Sequence, residues 1–137
     1  WWSAFWLCTH GPSNPFLDGW EIDVYEDYYM GPKNPGETVI GGVSGGEWLK
    51  YTVHVNQTAK YTFTLDYGTP SPKQRGPKLM VDCKAVGDFE TPAHEFPDWR
   101  HTSKAVLRGI PLTAGDHEIV LLMQGSYNLG ALQAAAE

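Results

Sequence analysis

The stretch GGVSGGEWLKYTVHV, residues 41–55, decides the fold of this 137-residue chain. Its second half alternates between apolar and polar residues, which in an extended strand point to opposite faces. The apolar set is Leu49, Tyr51, Val53 and Val55, and the polar set is Trp48, Lys50, Thr52 and His54. The next run, Ala59–Tyr67, repeats the alternation. The two runs therefore predict strands that each bury one face.

The rest of the chain also favours strands over helices. Helical periodicity is almost absent, and 15 glycines and 10 prolines punctuate short β-rich runs. This pattern predicts an all-β fold, an antiparallel β-sandwich of the jelly-roll type. The predicted strands are Ser3–Cys8, Trp20–Tyr25, Glu47–Val55, Ala59–Tyr67, Lys78–Ala85, His101–Leu107 and His117–Gln124. The predicted core is Leu49, Tyr51, Val53, Tyr61, Phe63, Leu65, Val81, Ile119 and Leu121.

Other segments are predicted to be irregular. Gly31–Gly42 and Gly68–Pro77 are expected to be loops, and the closing AAAE a fraying end. The two cysteines, Cys8 and Cys83, could form one bridge, but two buried free thiols are the favoured interpretation.

Composition limits the possible partners. The net charge is −6 and the ten basic residues are scattered, which argues against nucleic acid and anionic membranes. No apolar run approaches the roughly 18 residues of a membrane helix. The chain opens without an initiator methionine or a signal peptide, so we expect a mature or excised piece of a larger protein.

The polar face of Glu47–Val55 carries an indole where burial does not require one. Trp48 lies there beside Lys50, Thr52 and His54. Such a face suits a ligand that is apolar on its flat sides and polar at its edges, as a pyranose ring is. The alternative is that a loop or a neighbouring strand covers Trp48.

Residues 38–133 resemble the family 6 carbohydrate-binding modules. The similarity lies in GGVSGGEWLKYTVHV, KYTFTLDYG, KLMVDCKAVGDFETP and FPDWRHTSKAVLRGIPLTAGDHEIVLLMQGSYNLGALQ, in unbroken order. The resemblance implies a jelly-roll sandwich that binds glycan chains and often holds a structural calcium. It predicts residues 31–137 as a carbohydrate-binding module.

The same resemblance implies candidate binding residues. One site lies among loops, with Asn128 as a hydrogen-bonding residue and Phe96 or Trp99 as a stacking aromatic. Gly42 and Ala131 stand where the family usually has further aromatics. A second site, on the sheet face, would use Trp48 with Lys50.

The first 30 residues resemble the catalytic strands of family 16 glycoside hydrolases. WWSAFWL is followed by GWEIDVYE, with the acids in the pattern E-x-D-x-x-E. By this resemblance Glu21 is the nucleophile of a retaining glycosidase, Glu26 the acid/base and Asp23 the group that tunes them. Glu26 shares their face only if a β-bulge intervenes. This fragment is expected to pack on or complete the sandwich.

The leading hypothesis is therefore a non-catalytic module that binds β-glucan, xylan or galactan. Its context would be a secreted, multidomain glycoside hydrolase. The alternative is an endo-acting retaining hydrolase, laminarinase-like or agarase-like, or a fragment of one, that uses Glu21 and Glu26. Glu26 is also the candidate calcium ligand, with Glu137 or Asp27 assisting.

Overall fold

The computed structural model describes residues 40–71, 75–91, 99 and 102–137, and every regular element in this part is a β-strand. The strands are β1 (Ile40–Val43), β2 (Trp48–Val55), β3 (Ala59–Gly68), β4 (Lys78–Val81), β5 (Lys84–Asp88), β6 (Ser103–Leu112), β7 (Gly115–Leu122) and β8 (Tyr127–Ala136). Within these residues no helix is long and apolar enough to cross a membrane.

The strands form two antiparallel four-stranded sheets. Sheet A has the order β1-β8-β3-β6, and sheet B has the order β2-β7-β4-β5. Most neighbouring strands are distant in sequence: Tyr61 of β3 pairs with Ala136 of β8, and Trp48 of β2 pairs with Leu122 of β7. The predicted all-β, antiparallel sandwich is confirmed.

The core lies between the sheets and is assembled from the inner faces of both. Its buried members include six of the predicted core residues, which are Leu49, Phe63, Leu65, Val81, Ile119 and Leu121. Val53 and Tyr61 pack against this cluster while remaining partly exposed. Tyr51 was predicted to be buried, and that prediction is wrong, because 37% of the residue is exposed. In the described part β2 pairs only with β7, so Tyr51 has no strand on its other flank.

Three predicted element boundaries are corrected. Residues 40–42, predicted as the end of a loop, belong to β1, which pairs with β8. The single predicted strand Lys78–Ala85 is the hairpin of β4 and β5. The expected fraying end is strand β8 as far as Ala136, because β3 supplies backbone partners for these alanines. The predicted strands Ser3–Cys8 and Trp20–Tyr25 lie outside the described residues.

Two tight turns connect strands of the sandwich: one leads from β1 of sheet A into β2 of sheet B, and the other joins β4 to β5 within sheet B. Ser44–Glu47 closes with a hydrogen bond from the Glu47 N–H to the Ser44 carbonyl (3.1 Å), and Gly46 supplies the positive φ of 93° that this turn requires. The β4–β5 turn places Asp82 and Cys83 at φ 47° and 68°, as a two-residue hairpin with the strand twist requires.

Cys83 corrects the favoured interpretation of the cysteines. It is exposed at the tip of the β4–β5 turn and is disulfide-bonded, rather than a buried free thiol. Cys8, the other cysteine of the sequence, lies outside the described residues.

Candidate functional site

A cleft of about 600 Å³ runs along the side of the sandwich, where the β5 edge of sheet B approaches β6 of sheet A. A single antiparallel bridge between Glu90 and Val106 joins the two edges. The lining residues are Asp88, Glu90, Thr91, Lys104, Val106, Leu107 and Arg108. The volume lies within the range of clefts that bind small ligands.

Asp88 is held rigidly in the wall of the cleft. Its Oδ2 accepts from Nε and Nη2 of Arg75 at 3.1 and 2.9 Å, and its Oδ1 accepts from Nζ of Lys78 at 2.9 Å. Partial burial alone would raise the pKa of Asp88, but hydrogen bonds from Lys78, Gln124 and Arg75 outweigh it, and the pKa is lowered. Asp88 is therefore ionised and joins the loop before β4 to the end of β5.

The remaining charges of the cleft divide into paired and unpaired groups. Nζ of Lys104 donates to Oδ1 of Asp66 at 2.7 Å on the outer face of sheet A. Glu90 and Arg108 are exposed, and neither side chain has a hydrogen-bond or ion-pair partner within the described ranges. The cleft thus offers the Glu90 carboxylate as an acceptor and the Arg108 guanidinium as a donor to a ligand, and the partly buried Val106 and Leu107 also line it.

The structure brings together two of the residues predicted for a loop site. Asn128 is 1% exposed, and its Nδ2 donates to the backbone carbonyl of Trp99 at 2.7 Å. Trp99 is half-buried and precedes β6, whose Lys104 lines the cleft. Asn128 therefore anchors the backbone at Trp99, and one of the two N–H donors of its side-chain amide is already used. Phe96, the other candidate aromatic, lies outside the described residues.

The other predicted surface is the outer face of sheet B. Trp48 and Lys50 lie on this face, as the alternation predicts. Nζ of Lys50 pairs with Oε1 of Glu118 at 2.6 Å, and its side chain is only 18% exposed. Between β2 and β4 the same face carries Val120 and Leu122, which are 1% and 4% exposed although they point away from the core. The middle of this face is therefore closed to solvent.

One row of paired residues connects this face to the cleft. Trp48 pairs with Leu122, Leu122 with Lys78, and Lys78 with Asp88. Trp48 is half-buried at one end of the row, and Asp88 lies at the other end. The indole and the cleft wall are thus separated by the width of sheet B.

Sequence reasoning did not identify the cleft. Glu90, Lys104 and Arg108 belong to no motif, and Glu90 comes near the other two only because the chain after β5 meets β6 at the Glu90–Val106 bridge. The burial of the outer face of sheet B at β7, in contrast, could have been predicted from the sequence. The uninterrupted apolar run Ile119–Met123 is typical of a strand that is buried on both faces.

The predicted catalytic acids cannot be placed in this geometry. Glu21, Asp23 and Glu26 lie outside the described residues, as does Asp27. No group of three or more acidic, histidine or cysteine side chains in the described part is arranged to hold a metal ion. Oε1 of Glu137 accepts from the Gly109 N–H (2.6 Å) and from Oγ1 of Thr62 (2.8 Å). Calcium binding through Glu26 stays a prediction.

Comparison with known proteins adds to this geometry. No family model matches the sequence, and no curated protein matches it. Solved structures do match. A β-1,3-glucan-binding family 6 module from Bacillus halodurans has a TM-score of 0.63 at 19% identity, covering 77% of this chain and 82% of its own. A family 35 carbohydrate-binding module from an environmental isolate has a TM-score of 0.62 at 18% identity, covering 77% and 80%.

A third match is the family 6 module of Cellvibrio mixtus lichenase 5A in complex with cellotriose. It has a TM-score of 0.62 at 18% identity, covering 77% of this chain and 83% of its own. At such identities a likeness establishes the fold. This chain therefore has the β-sandwich fold of the family 6 and family 35 carbohydrate-binding modules.

Proposed function

We propose that this chain is a non-catalytic module that binds a polysaccharide chain along the β5–β6 cleft. The observation that carries the proposal is the cleft itself, a concave surface of about 600 Å³ on a sandwich whose fold is that of carbohydrate-binding modules. A flank that opens between two sheet edges can accept an extended chain that enters at one end and leaves at the other.

The chemistry of the cleft suits a polyhydroxylated ligand. The Glu90 carboxylate can accept hydrogen bonds from sugar hydroxyls, and the Arg108 guanidinium can donate to sugar oxygens. Val106 and Leu107 offer an aliphatic surface to the C–H groups of a ring. The four ionisable lining side chains, two acids and two bases, cancel in charge. A neutral glycan therefore fits better than a polyanion.

The proposed ligands are β-linked glucan, xylan or galactan. Two of the matching modules bind a β-1,3-glucan and cellotriose, which are neutral β-glucans. Trp99, which precedes β6, and Trp48, on the sheet face, are the aromatics proposed to stack on sugar rings. By analogy with aromatic pairs, each stacked ring would contribute about 1 kcal/mol. Binding at one site would therefore be weak.

The proposed context follows from that weakness. A module with weak affinity is useful when it is tethered to a second binding or catalytic unit, because tethering raises its effective concentration at the substrate. We propose that the parent is a secreted glycoside hydrolase, with this module holding it on its polymer.

Affinity gel electrophoresis tests the proposal. The wild-type chain is expected to be retarded in gels that contain laminarin, xylan or galactan, and less so in a gel that contains polygalacturonate. Glu90→Gln and Arg108→Gln are each expected to reduce retardation severalfold, since each replaces a charged side chain that has no partner among the described residues with a neutral amide, whose hydrogen bonds are weaker. Two further variants distinguish the possible sites: a loss of retardation in Trp99→Ala indicates binding at the loop before β6, and a loss in Trp48→Ala indicates binding on the face of sheet B.

Two matched controls accompany these variants. Lys60→Gln changes an exposed charge on β3 outside the cleft, and Thr52→Ala changes an exposed residue of the strand that carries Trp48. Both should migrate as the wild type does. If no neutral glycan retards the wild type, the proposal fails. If only Trp48→Ala abolishes retardation, the glycan lies on the sheet face and the cleft assignment is wrong.

A further inference from the structure

His117 occupies a nearly closed site beneath the β4–β5 turn. Its side chain is only 10% exposed. Nδ1 lies 2.6 Å from Oδ2 of Asp82 in that turn, and Nε2 lies 2.7 Å from the backbone carbonyl of Thr113, in the β6–β7 turn. The Thr113 hydroxyl is more distant from Nε2, at 3.3 Å.

These contacts determine the protonation state of the ring. A backbone carbonyl can only accept a hydrogen bond, so Nε2 must carry a proton to make the 2.7 Å contact. The carboxylate of Asp82 is likewise an acceptor, so Nδ1 must carry one too. A neutral imidazole has one N–H and would lose one of the two bonds. The site is therefore built for the imidazolium ion.

Asp82 extends the connection into β7. Its Oδ1 accepts from the backbone N–H of Glu118 at 3.0 Å, and its own N–H donates to the Glu118 carbonyl at 2.9 Å. We propose that protonated His117 is a pH-sensitive latch, which fastens the β4–β5 turn to β7 and to the β6–β7 turn, and which opens when the ring loses a proton.

The charged neighbours support a protonated ring. The hydrogen bond that His117 donates to Asp82 raises the pKa of His117, and the hydrogen bond to the Thr113 carbonyl raises it further. The charges of Asp82 and Asp116 add to this against the opposing effect of burial. The other charged groups around the pair are Lys84 of β5 and Glu118 of β7, and His54 of β2 pairs with Asp116.

The direction of the pH effect follows from linkage. A histidine whose pKa is raised by folding stabilises the fold fully below its ordinary value of about 6.5, and that stability is lost as pH rises through the folded pKa. Partial burial of Asp82 alone would raise its pKa, but the hydrogen bonds from His117 and Glu118 outweigh burial, and the pKa is lowered. The contribution of Asp82 to stability is therefore present above its ordinary pKa of about 3.8, and it is lost as pH falls through the lower pKa of the folded state. The latch is therefore closed in mildly acidic solution and opens as pH rises through the pKa of His117.

The latch also positions one wall of the candidate cleft. β5 is the last strand of sheet B in the described part, and it pairs with β4 alone. One end of β5 carries Asp88 of the cleft wall, and the other end follows the latched turn. Disulfide-bonded Cys83 restrains the same turn. Opening the latch should therefore loosen the hairpin locally without releasing it.

Proton NMR of the intact chain measures the latch directly. The ring C–H signals of His117 are expected to titrate with a pKa above 6.5, and Asp82→Asn should bring that pKa back towards 6.5. The Glu118 amide should lose protection from hydrogen exchange, after correction for intrinsic rates, as pH passes through the pKa of His117.

Thermal melts with a matched control complete the test. The gap in melting temperature between wild type and His117→Gln should be widest at pH 6 and should narrow above the pKa of His117. His54→Gln is the control, because it removes a histidine–aspartate contact whose side chains are 67% and 76% exposed. Its difference in melting temperature from the wild type should not narrow as pH rises. A His117 pKa at or below 6.5, or a gap that does not change with pH, would overturn the latch. If His117→Gln does not fold, the titration of the wild type decides alone.

Discussion

At the scale of single residues, two buried side chains at the start of β8 differ in how their polar groups are satisfied. Asn128 is buried and its amide has a partner, the carbonyl of Trp99. Tyr127 is 0% exposed, yet its hydroxyl has no hydrogen-bond partner in the described part of the chain. Burial, together with the nearby charge of Asp88, raises the pKa of Tyr127 to about 12. The hydroxyl is therefore neutral and is a net cost to the fold.

Replacing Tyr127 tests this interpretation. An unsatisfied buried polar group costs about 1–3 kcal/mol, so Tyr127→Phe should raise the free energy of unfolding by about 1 kcal/mol. Tyr61→Phe is the matched control, because the Tyr61 hydroxyl donates to the Gln57 carbonyl at 2.6 Å. Tyr61→Phe should lower the free energy of unfolding by roughly 1 kcal/mol. Urea titration measures both variants against the wild type. A loss of stability in Tyr127→Phe would mean that its hydroxyl is satisfied.

At the scale of elements, the segment before β4 is packed more tightly than its glycine and prolines suggest. The Phe89 N–H donates to the Pro77 carbonyl at 2.9 Å, and Nε2 of Gln124 donates to the Gly76 carbonyl at 2.8 Å. A Cβ atom added at Gly76 would lie 2.0 Å from the Phe89 carbonyl oxygen. Gly76 and Pro77 are therefore in direct contact with Phe89, the residue that follows β5.

Gly76→Ala should destabilise the chain by several kcal/mol, about the upper end for a single substitution, since backbone must move to admit the methyl group. The displacement should also weaken the pairing of Arg75 with Asp88, and so alter the cleft. Gly45→Ala is the control, because a Cβ there meets only ordinary contacts at 3.8 Å. Equal melting temperatures for the two variants would contradict the close packing at Gly76.

The sequence predicted those elements whose signals are local. The alternation in β2 and β3 placed Leu49 and Phe63 in the core correctly. β8 was missed because Ala134–Ala136 has no strand signal of its own, and β3 makes it a strand by pairing with it. Tyr51 was misplaced because alternation indicates which face a residue occupies, not whether the strand has a neighbour on each side. The cleft depends on contacts between edges of different sheets, which a single sequence does not encode in any motif.

At the scale of the whole molecule, the described residues form a two-sheet sandwich with the proposed binding cleft along one side. The cleft contains two acids, Asp88 and Glu90, which raises the question of hydrolysis. A glycosidase needs one carboxyl with a raised pKa as the acid and a second as nucleophile or base. The pKa of Asp88 is lowered by its hydrogen bonds from Lys78, Gln124 and Arg75. Asp88 is therefore unsuited to act as the acid.

We accordingly expect no significant hydrolysis by this chain alone. A reducing-sugar assay on laminarin and agarose should give the background rate, for the wild type and for Glu21→Gln alike. Turnover by the wild type that disappears in Glu21→Gln would identify a minimal hydrolase that uses the acids of the first 30 residues.

The most direct test of the binding account is a titration of the isotopically labelled chain with a laminarin oligosaccharide, followed through its backbone amide NMR signals. The account predicts that the largest shifts fall on Glu90, Thr91 and the Lys104–Arg108 segment, with smaller shifts at Trp99. Saturable shifts confined to β2, or no shifts with laminarin, xylan or galactan oligosaccharides at millimolar concentration, would contradict it.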